Sequence, residues 1–298
     1  MQKIIVIAGP TGVGKTKLSI ALAKKYNGEI INADSMQVYK ELNIGTAKIK
    51  DTEKENIPHH LFDIKNIDEE YTIYHYQKDI RNKIGEINKR NKRIIIVGGT
   101  ALYLKAGLFD YTLEENSSSR DLSSYTDKEL VNELKKLDKN IDIDFNNRRR
   151  VERAYNYYLD NNKSISENTS GNNLLYPVIF IGLTTDRDNL YKIINKRVDQ
   201  MIEEGLIDEV YKLYNKNIHT KPVINGIGYK ELYSYFNNET SLDNAIEKIK
   251  QNSRKYAKRQ YTFFNNKFDI TWFNVNYCNF NETINEVEDY INKVDREI

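Results

Sequence analysis

The stretch Ile4–Thr16 reads IIVIAGPTGVGKT, an apolar run that ends in a glycine-rich loop. The run has the length and the β-branched composition of a strand that is buried on both faces. Residues Gly9–Thr16 match the pattern G-x-x-x-x-G-K-T, in which backbone N–H groups, a lysine and a helix N-terminus surround phosphate groups. The stretch therefore predicts an α/β fold, with a parallel sheet of the phosphate-binding-loop (P-loop) type flanked by helices.

Each polar group of this loop has an expected role at a diphosphate. Lys15 supplies a positive charge, Thr16 offers its hydroxyl group to Mg²⁺, and Thr11 adds a hydrogen-bond donor. These roles fit phosphoryl transfer and the departure of diphosphate from a carbon atom equally well, so the loop alone does not choose between the two reactions. The residues expected to bind diphosphate are Gly9, Pro10, Thr11, Gly12, Val13, Gly14, Lys15 and Thr16.

Three further apolar runs are followed by polar or glycine-rich residues, as the first one is. The runs are Glu29–Ala33, Arg93–Val97 and Val178–Leu183, and they are followed by Asp34, by Gly98-Gly99-Thr100 and by Thr184-Thr185-Asp186. Helical stretches separate the runs, which is typical of a parallel sheet with crossover helices. Because ligands bind at the carboxyl ends of such strands, we expect the glycine-rich loop, Asp34, Thr100 and Thr184–Asp186 to lie on one edge.

The chain between residues 111 and 173 differs from its surroundings because it contains no convincing strand. We expect residues 1–110 and 174–298 to form the α/β core with helix-rich C-terminal elements, and residues 111–173 to form a helical insertion domain. The expected elements outside the first four strands are helices at Asp127–Lys139 and Asn147–Leu159, polar loops at Glu114–Ser119 and Ser164–Asn173, a last strand at Thr271–Val275 and a last helix at Glu282–Val294.

The composition predicts a cytoplasmic globular protein. Of 298 residues, 39% are hydrophobic and 30% are charged, and the net charge is +2. The single cysteine, Cys278, excludes an internal disulfide framework and a cysteine-rich zinc site. We expect no signal peptide, because the first strand begins at once, and no membrane contact, because no apolar run reaches the ~20 residues of a membrane span. We expect a monomer.

The sequence leaves two roles open for Asp34. A carboxylate at a strand end beside a phosphate-binding loop can bind Mg²⁺ or accept a proton. Alternatively, Asp34 or Ser35 can cap a helix by accepting a hydrogen bond from the following turn. For His59 and His60 no third ligand stands at a suitable spacing, so we expect packing or hydrogen bonds rather than a metal site.

Positive charge is concentrated in two stretches. Arg148–Arg153 has four arginines and one glutamate, and Lys248–Arg259 has six cations and no acidic residue. The second stretch continues into the aromatic residues of Gln260–Phe264. Clustered cations beside aromatic rings suit RNA, although a run of charges is more often a solvated helix face. Because both stretches accompany a diphosphate-binding loop, we favour an RNA partner.

The order of motifs along the chain resembles the bacterial tRNA dimethylallyltransferases, also called tRNA isopentenyltransferases. The resemblance covers nearly the whole length, and the motifs are highly specific when they occur together in this order. They are GPTGVGKT at Gly9–Thr16, NADSMQVYK at Asn32–Lys40, GTAK at Gly45–Lys48, PHHLFD at Pro58–Asp63, VGGTALYLKA at Val97–Ala106, RRRVERA at Arg148–Ala154, RVDQMIEEGLIDEV at Arg197–Val210, INGIGYKEL at Ile224–Leu232 and KYAKRQYTFF at Lys255–Phe264.

The resemblance implies a reaction, in which the dimethylallyl group of dimethylallyl diphosphate moves to N6 of the adenosine on the 3′ side of the tRNA anticodon. Asp34 is then the general base or hydrogen-bond acceptor for that amine, Thr100 lies near the leaving oxygen, and Arg197, together with Mg²⁺, helps to bind the diphosphate. The residues implied in contacts with the tRNA anticodon stem-loop are Asp34, Ser35, Met36, Gln37, Thr100, Arg149, Arg150, Val151, Glu152, Arg153, Lys255, Tyr256, Lys258, Arg259, Gln260 and Phe263.

Three positions depart from the family pattern. Asn147 stands where aspartate often precedes the arginines, Asn265 stands where arginine ends the C-terminal motif, and Tyr76 stands where phenylalanine is expected. These changes affect the expected contacts with RNA rather than the transfer chemistry.

Other functions also use a loop of this kind. A small-molecule or nucleotide kinase would use Asp34 to activate a hydroxyl group, but the chain has no clear arginine-rich lid to close over ATP. An RNA-binding nucleotide switch should carry a guanine-recognition motif such as N-K-x-D, which we do not find. An isopentenyltransferase that acts on free adenine nucleotides would share the core but would not need the helical insertion or both basic stretches.

Overall fold

A parallel sheet organises the larger part of the chain. The computed structural model describes residues 1–113, 120–167 and 171–297. These residues form a six-stranded sheet in the order β3-β2-β4-β1-β5-β6, and every neighbouring pair is parallel. The strands are β1 (Ile4–Ala8), β2 (Gly28–Asn32), β3 (His59–His60), β4 (Arg93–Val97), β5 (Val178–Thr184) and β6 (Thr271–Asn274).

The helices connect these strands and cover the sheet. The α-helices are α1 (Lys15–Lys25), α2 (Ile73–Lys89), α3 (Ala101–Leu108), α4 (Asp127–Leu137), α5 (Arg148–Asn161), α6 (Arg187–Glu203), α7 (Leu206–Asn215), α8 (Lys221–Asn225), α9 (Tyr229–Phe236), α10 (Leu242–Lys267) and α11 (Phe280–Arg296). Short 3₁₀ turns occupy Asp51–Glu53 and Ile165–Glu167. Among the described residues, we find no helix with the combined length and apolar character needed to cross a membrane.

The apolar runs of the sequence are the central strands. β1 lies between β4 and β5, with Val6 opposite Ile96 on one side and Phe180 on the other. All five residues of β1 are 0% exposed. A strand covered on both faces cannot alternate apolar with polar residues, so it is visible in the sequence as a continuous apolar run.

Contacts between Cα atoms divide the chain into two compact units. The larger unit contains Met1–Leu108 and Tyr176–Ile298, and the smaller unit contains Phe109–Leu175. The predicted polar loop Glu114–Ser119 and part of the predicted loop Ser164–Asn173 lie outside the described residues.

The smaller unit is built on the helix pair α4 and α5. Leu130 and Leu134 of α4 pack with Val151 and Ala154 of α5 in a core of their own. Asn147, which departs from the family pattern, caps α5 because its side chain accepts a hydrogen bond from the N–H of Arg150.

The two ends of the smaller unit lie side by side. Phe109 forms an antiparallel bridge with Leu174, and the N–H of Asp110 donates to the carbonyl of Asn173 at 2.9 Å. The carboxylate of Asp110 also accepts from the N–H groups of Gly171 and Asn173, at 2.7 and 3.1 Å. The chain thus enters and leaves this unit through one short paired neck.

Candidate active site

The glycine-rich loop adopts a backbone that depends on glycine. Gly9, Gly12 and Gly14 have φ angles of 132°, 90° and 90°, which side-chain-bearing residues rarely adopt. A Cβ atom on Gly9 would also lie 2.5 Å from the carbonyl oxygen of Leu183 in β5. Gly14 is the N-cap of α1, so the loop turns directly into the positive end of a helix, a favourable position for phosphate.

Lys15 is held against the loop that precedes it. Its Nζ atom donates to the carbonyl oxygens of Gly9 and Pro10, at 2.8 and 2.6 Å. Burial lowers the pKa of Lys15 to about 7, and the positive charge of Arg197 also lowers it, while Asp34 opposes the shift. The ammonium group is therefore in an environment that an anion would stabilise.

Arg197 of α6 joins the loop from another part of the chain. Its Nη1 atom donates to the hydroxyl group of Thr11 at 2.7 Å. Burial lowers the pKa of this guanidinium group, and the negative charge of Asp34 raises it. A half-buried arginine beside a phosphate-binding loop is suited to bidentate recognition of phosphate oxygens.

Asp34 follows β2 directly, on the same edge of the sheet. Its Oδ1 atom accepts a 2.9 Å hydrogen bond from the N–H of Met36. Residues 35–38 form bends and turns, so the hydrogen bond predicted for a cap is present but the helix that it would cap is not. Burial raises the pKa of the Asp34 carboxyl group, whereas the Met36 hydrogen bond and the charge of Lys15 lower it. A carboxylate that holds a proton more strongly than usual is a better base.

Thr100 links the ends of β2 and β4. Its N–H donates to the carbonyl of Ala33 at 3.0 Å, and its Oγ1 atom accepts from the N–H of Ser35 at 3.1 Å. The two strands approach so closely that a Cβ atom on Gly98 would lie 2.2 Å from the carbonyl oxygen of Ala33. Thr100 is therefore held beside the segment that carries Asp34.

A cavity of about 1140 Å³ lies within the larger unit at this edge of the sheet. The predicted site residues that line the cavity are Thr11, Gly12, Gly14, Lys15, Thr16, Asp34, Ser35, Met36, Gln37, Arg197, Tyr256, Arg259 and Gln260. The wall thus combines the loop, the residues after β2, several residues of α6 that include Arg197, and the basic helix α10. A cavity lined by cations and by a half-buried carboxylate can hold a diphosphate ester and a nucleophile together.

Some residues that were predicted for this edge of the sheet do not line the cavity. Asp186 caps α6, because its Oδ1 atom accepts from the N–H of Asn189 at 2.9 Å. Thr184 hydrogen-bonds to the hydroxyl group of Tyr261 at 2.7 Å. Gly9, Pro10 and Val13 belong to the loop without lining the cavity, and Val13 is buried in the hydrophobic core.

The basic stretch on α10 divides between the two sides of its helix. Tyr256, Arg259 and Gln260 line the cavity, and the buried Gln260 donates from Nε2 to the carbonyl of Gly99 at 3.0 Å. Lys255 and Lys258 are exposed. Phe263 packs against Phe268, with ring centroids 6.5 Å apart.

Two other cations of the stretch bind the neighbouring helix α6. Lys250 pairs with Asp199 at 2.8 Å, and Arg254 donates to Asn195 at 2.5 Å. These two side chains hold α10 against α6, so the count of six cations overstates the charge that α10 has available for a polyanion.

The arginine cluster of the smaller unit also divides by position. Arg149, Arg150 and Arg153 are exposed on α5. Val151 is 1% exposed in the core of this unit, and Glu152 accepts from Arg148 at 2.7 Å. The surface that α5 offers to a polyanion is therefore formed by Arg149, Arg150 and Arg153 rather than by the whole stretch.

The two histidines of the PHHLFD motif are engaged in hydrogen bonds, as expected. His59 bonds through Nδ1 to the carbonyl of Ile57 at 2.8 Å, and His60 bonds through Nε2 to Glu29 at 2.6 Å. Arg90 donates to the same carboxylate of Glu29 at 2.7 Å. In the ranges that the structure describes, no group of three histidine, cysteine or acidic side chains could hold a metal ion.

Several cavity residues were not assigned a role by the sequence. They include Gly45, Thr46 and Ala47 of the GTAK motif and Gly226 to Tyr229 of the INGIGYKEL motif. Both segments match motifs of the family, but these motifs contain no residue for which a chemical role was predicted.

Comparison with known proteins identifies the family. The model of the IPP transferase family matches residues 37–267. The chain belongs to the IPP transferase family. A tRNA dimethylallyltransferase of Anoxybacillus flavithermus is 47% identical over 97% of this chain and 96% of its own length. One of Bacillus subtilis is 46% identical over 92% of this chain and 91% of its own length.

Solved structures of the IPP transferase family share this architecture. The full-length tRNA isopentenylpyrophosphate transferase of Bacillus halodurans is 41% identical, with a TM-score of 0.79 over 100% of this chain and 98% of that protein. A eukaryotic dimethylallyltransferase acting on tRNA is 36% identical, with a TM-score of 0.82 over 92% of this chain and 74% of that protein. The family and the P-loop α/β fold predicted from the sequence are confirmed.

Proposed function

We propose that this IPP transferase moves the dimethylallyl group of dimethylallyl diphosphate to N6 of the adenosine on the 3′ side of a tRNA anticodon, releasing diphosphate. The names of its relatives, which are tRNA dimethylallyltransferases of nearly the same length, support this reaction. The observation that carries the proposal is that Lys15, Arg197 and Asp34 line one cavity. This arrangement offers cations to a leaving group and a carboxylate to a nucleophile.

The proposed transfer forms one bond and breaks another. The N6 nitrogen bonds to C1 of the dimethylallyl group, the C1–O bond breaks, and the electron pair of that bond leaves with the diphosphate. The amine proton goes to the carboxylate of Asp34, whose raised pKa suits it to accept a proton. Thr100 lies next to Ser35 and supports the segment after β2 that would meet the base.

Stabilisation of the leaving group is the larger part of the proposed catalysis. Negative charge grows on the diphosphate as the C1–O bond breaks, and donors that are already oriented lower the barrier most. Lys15 and Arg197 supply fixed positive charge, and the N–H groups at the start of α1 supply dipoles. The hydrogen bond from Arg197 to Thr11 keeps the guanidinium group beside the loop.

The donor set fits a Mg²⁺ ion that arrives with the diphosphate. Thr16 lines the cavity, and the described residues contain no group of three His, Cys, Asp or Glu side chains that could bind a metal alone. Mg²⁺ usually takes one or two protein ligands and completes its coordination with substrate phosphates and water. When bound there through the Thr16 hydroxyl group, the ion would neutralise charge on the diphosphate.

RNA binding is proposed for the exposed cations of both units. Arg149, Arg150 and Arg153 suit the phosphates of an anticodon stem. Lys255, Lys258 and Arg259 on α10 suit the phosphates of the loop, close to Tyr256 at the cavity. The target base must leave its stack to enter a cavity of this kind, as in other enzymes that modify bases.

A transfer assay tests the proposed function. The protein is incubated with Mg²⁺ and labelled dimethylallyl diphosphate, either with unmodified tRNA or with AMP, ADP or ATP. We expect label in tRNA alone, at N6 of the adenosine after the anticodon. Label in the free nucleotides would favour a nucleotide prenyltransferase, and ATP turnover without prenyl transfer would favour a kinase.

A further inference from the structure

One carboxylate outside the reaction centre has an unusual set of partners. Glu209 lies in the first turn of α7. Its Oε2 atom accepts from the N–H groups of Asn43 and Ile44, at 3.1 and 2.8 Å. Its Oε1 atom accepts from the N–H of Gly45 at 3.1 Å and from the hydroxyl group of Tyr229 at 2.7 Å. We call these groups the Glu209 clamp.

The Glu209 clamp holds a loop that the proposed reaction does not otherwise use. Three successive N–H groups around a carboxylate form an anion nest, and hydrogen bonds to an ionised acceptor are stronger than neutral ones. Gly45 lies against the ring of Tyr229, because a Cβ atom there would meet this ring at 2.7 Å. The clamp therefore fixes the loop Asn43–Thr46 against two elements of the C-terminal half, α7 and α9.

Lys48 anchors the same loop from its other side. This lysine is 9% exposed, and its Nζ atom donates to the carbonyl of Tyr39 and to the side chains of Asn43 and Asp63, at 2.6, 2.9 and 2.6 Å. A buried ammonium group with three acceptors is costly to displace. Glu209 thus holds the loop at Asn43, Ile44 and Gly45, and Lys48 holds it again at Asn43, which leaves these residues little freedom.

The loop in turn orients Gln37. The Nε2 atom of Gln37 donates to the carbonyl oxygen of Thr46 at 2.9 Å. A carbonyl oxygen only accepts, so this contact decides which end of the amide is the nitrogen. The Oε1 atom of Gln37 is thereby set as an acceptor on a side chain that lines the cavity.

We propose that Glu209 is a positioning residue, which acts through the loop Asn43–Thr46 to hold the Gln37 amide with its oxygen ready to accept an N–H of the incoming nucleobase. The inference rests on the proposed function, since it needs a base in the cavity. It also explains why the GTAK, EGLIDEV and INGIGYKEL segments match the family without supplying a group that reacts. The Glu209 clamp joins all three segments.

A matched pair of variants on one helix turn tests the inference. Glu209→Gln replaces one carboxylate oxygen with an NH₂ group that faces donors. We expect kcat/KM for tRNA to fall about tenfold or more, as for the loss of hydrogen bonds to a charged group. The affinity for an unreactive prenyl diphosphate analogue should change less than about twofold, because the glycine-rich loop has its own contacts. Asp208→Asn, at an exposed acidic residue in the same turn as the half-buried Glu209, should leave both quantities unchanged.

A double-mutant cycle separates positioning from simple support of the fold. If Glu209 acts through Gln37, Glu209→Gln should lower kcat/KM for tRNA only slightly in a Gln37→Ala background. The losses in kcat/KM from the two substitutions will then not add. Additive losses, or an equal loss of tRNA and analogue binding, would overturn the inference. If Glu209→Gln does not fold, Tyr229→Phe removes one bond of the clamp, keeps the ring and is judged by the same cycle. A wild-type protein that transfers no prenyl group would instead refute the proposed function.

Discussion

Arg197 donates a 2.7 Å hydrogen bond to the hydroxyl group of Thr11, a residue 186 positions earlier in the chain. This bond joins α6 to the glycine-rich loop and brings a second cation close to Lys15. The charge of Arg197 is a cause, after burial, of the lowered pKa of Lys15. Two cations thus lie close together at the loop, where a bound anion would stabilise both.

The first prediction concerns the proton of Lys15. Its pKa of about 7 means that the ammonium group is partly deprotonated at neutral pH, and a bound diphosphate should raise that pKa. Binding of an unreactive prenyl diphosphate analogue should therefore take up a proton, and its affinity should fall as pH rises from about 7 to about 9. Calorimetry in two buffers of different ionisation enthalpy measures the uptake. Lys24→Gln, at an exposed position of the same helix, should leave it intact; proton release by the wild type would contradict the prediction.

The second prediction concerns Asp34. Asp34→Asn should reduce turnover by about 10²- to 10⁴-fold, the usual contribution of a positioned general base. Binding of the prenyl diphosphate analogue should persist. Steady-state transfer and analogue titration measure the two effects, and full turnover in the variant would remove Asp34 from the proposed mechanism.

The same variant has a predicted effect on stability. Since the folded state raises the pKa of Asp34, its contribution to stability is present at low pH and is lost as pH rises through the folded-state pKa. At pH 7 the buried charge is therefore a cost that Asp34→Asn removes, and Tm should rise. At a pH below the pKa of this carboxyl group in the unfolded state, the difference in Tm between the variant and the wild type should vanish. A lower Tm in the variant at pH 7 would contradict the expected sign.

The third prediction separates the arginines of α5. Replacing Arg149 and Arg153 by alanine should raise the KM for tRNA and reduce the slope of log affinity against log salt by about 0.7 to 0.9 for each lost phosphate contact. Arg148 is the control, because it bridges Asp127 and Glu152 within its own unit, at 2.6 and 2.7 Å. Arg148→Ala should lower stability and leave the salt slope nearly unchanged. An unaltered slope in the double variant would make its two arginines structural.

The fourth prediction compares two glycines. Gly98→Ala places a Cβ atom 2.2 Å from the carbonyl oxygen of Ala33, where only backbone movement makes room, so it should destabilise the protein by about 2 kcal/mol or more. Gly85 lies exposed within α2, and a Cβ atom there meets nothing within 4 Å. Gly85→Ala should stabilise by about 0.5–1 kcal/mol. Urea unfolding of both variants measures the difference; similar values would contradict the close approach of β2 and β4.

The sequence predicted those parts of the fold that are locally encoded. The four strands that were predicted from apolar runs coincide with β1, β2, β4 and β5 within a residue or two, because burial on both faces leaves a continuous apolar run. The strand β3 has only the residues His59 and His60 and owes its pairing to β2, so it has no periodicity to detect.

A helical stretch was expected between β2 and β4, but no bounds were predicted for α2 (Ile73–Lys89). Its buried residues Tyr76, Ile80, Ile84 and Ile87 follow helical spacing. Its capping box pairs Thr72 with His75, where glutamate or glutamine is the usual signal. A capping box that contains histidine is a weak indication of where a helix begins, so the first residue of α2 could not be predicted.

The candidate site was predictable where spacing alone brings groups together. The glycine-rich loop is such a case, because its residues are neighbours in the chain. Gln260 reaches Gly99 across 161 positions, and its place depended on the family resemblance. Glu209 lies in a family motif, but its role could not be predicted from residue types, because three of its four partners are backbone N–H groups, which every residue but proline carries.

The pairing of Asp110 with Asn173 makes the helical segment between them a self-contained insertion. Because the two ends of this segment already lie together, the segment can lengthen, shorten or be exchanged. The hydrogen bonds between β1 and β4 then stay in place. Changes in this segment can thereby leave the parallel sheet and its glycine-rich loop unaltered.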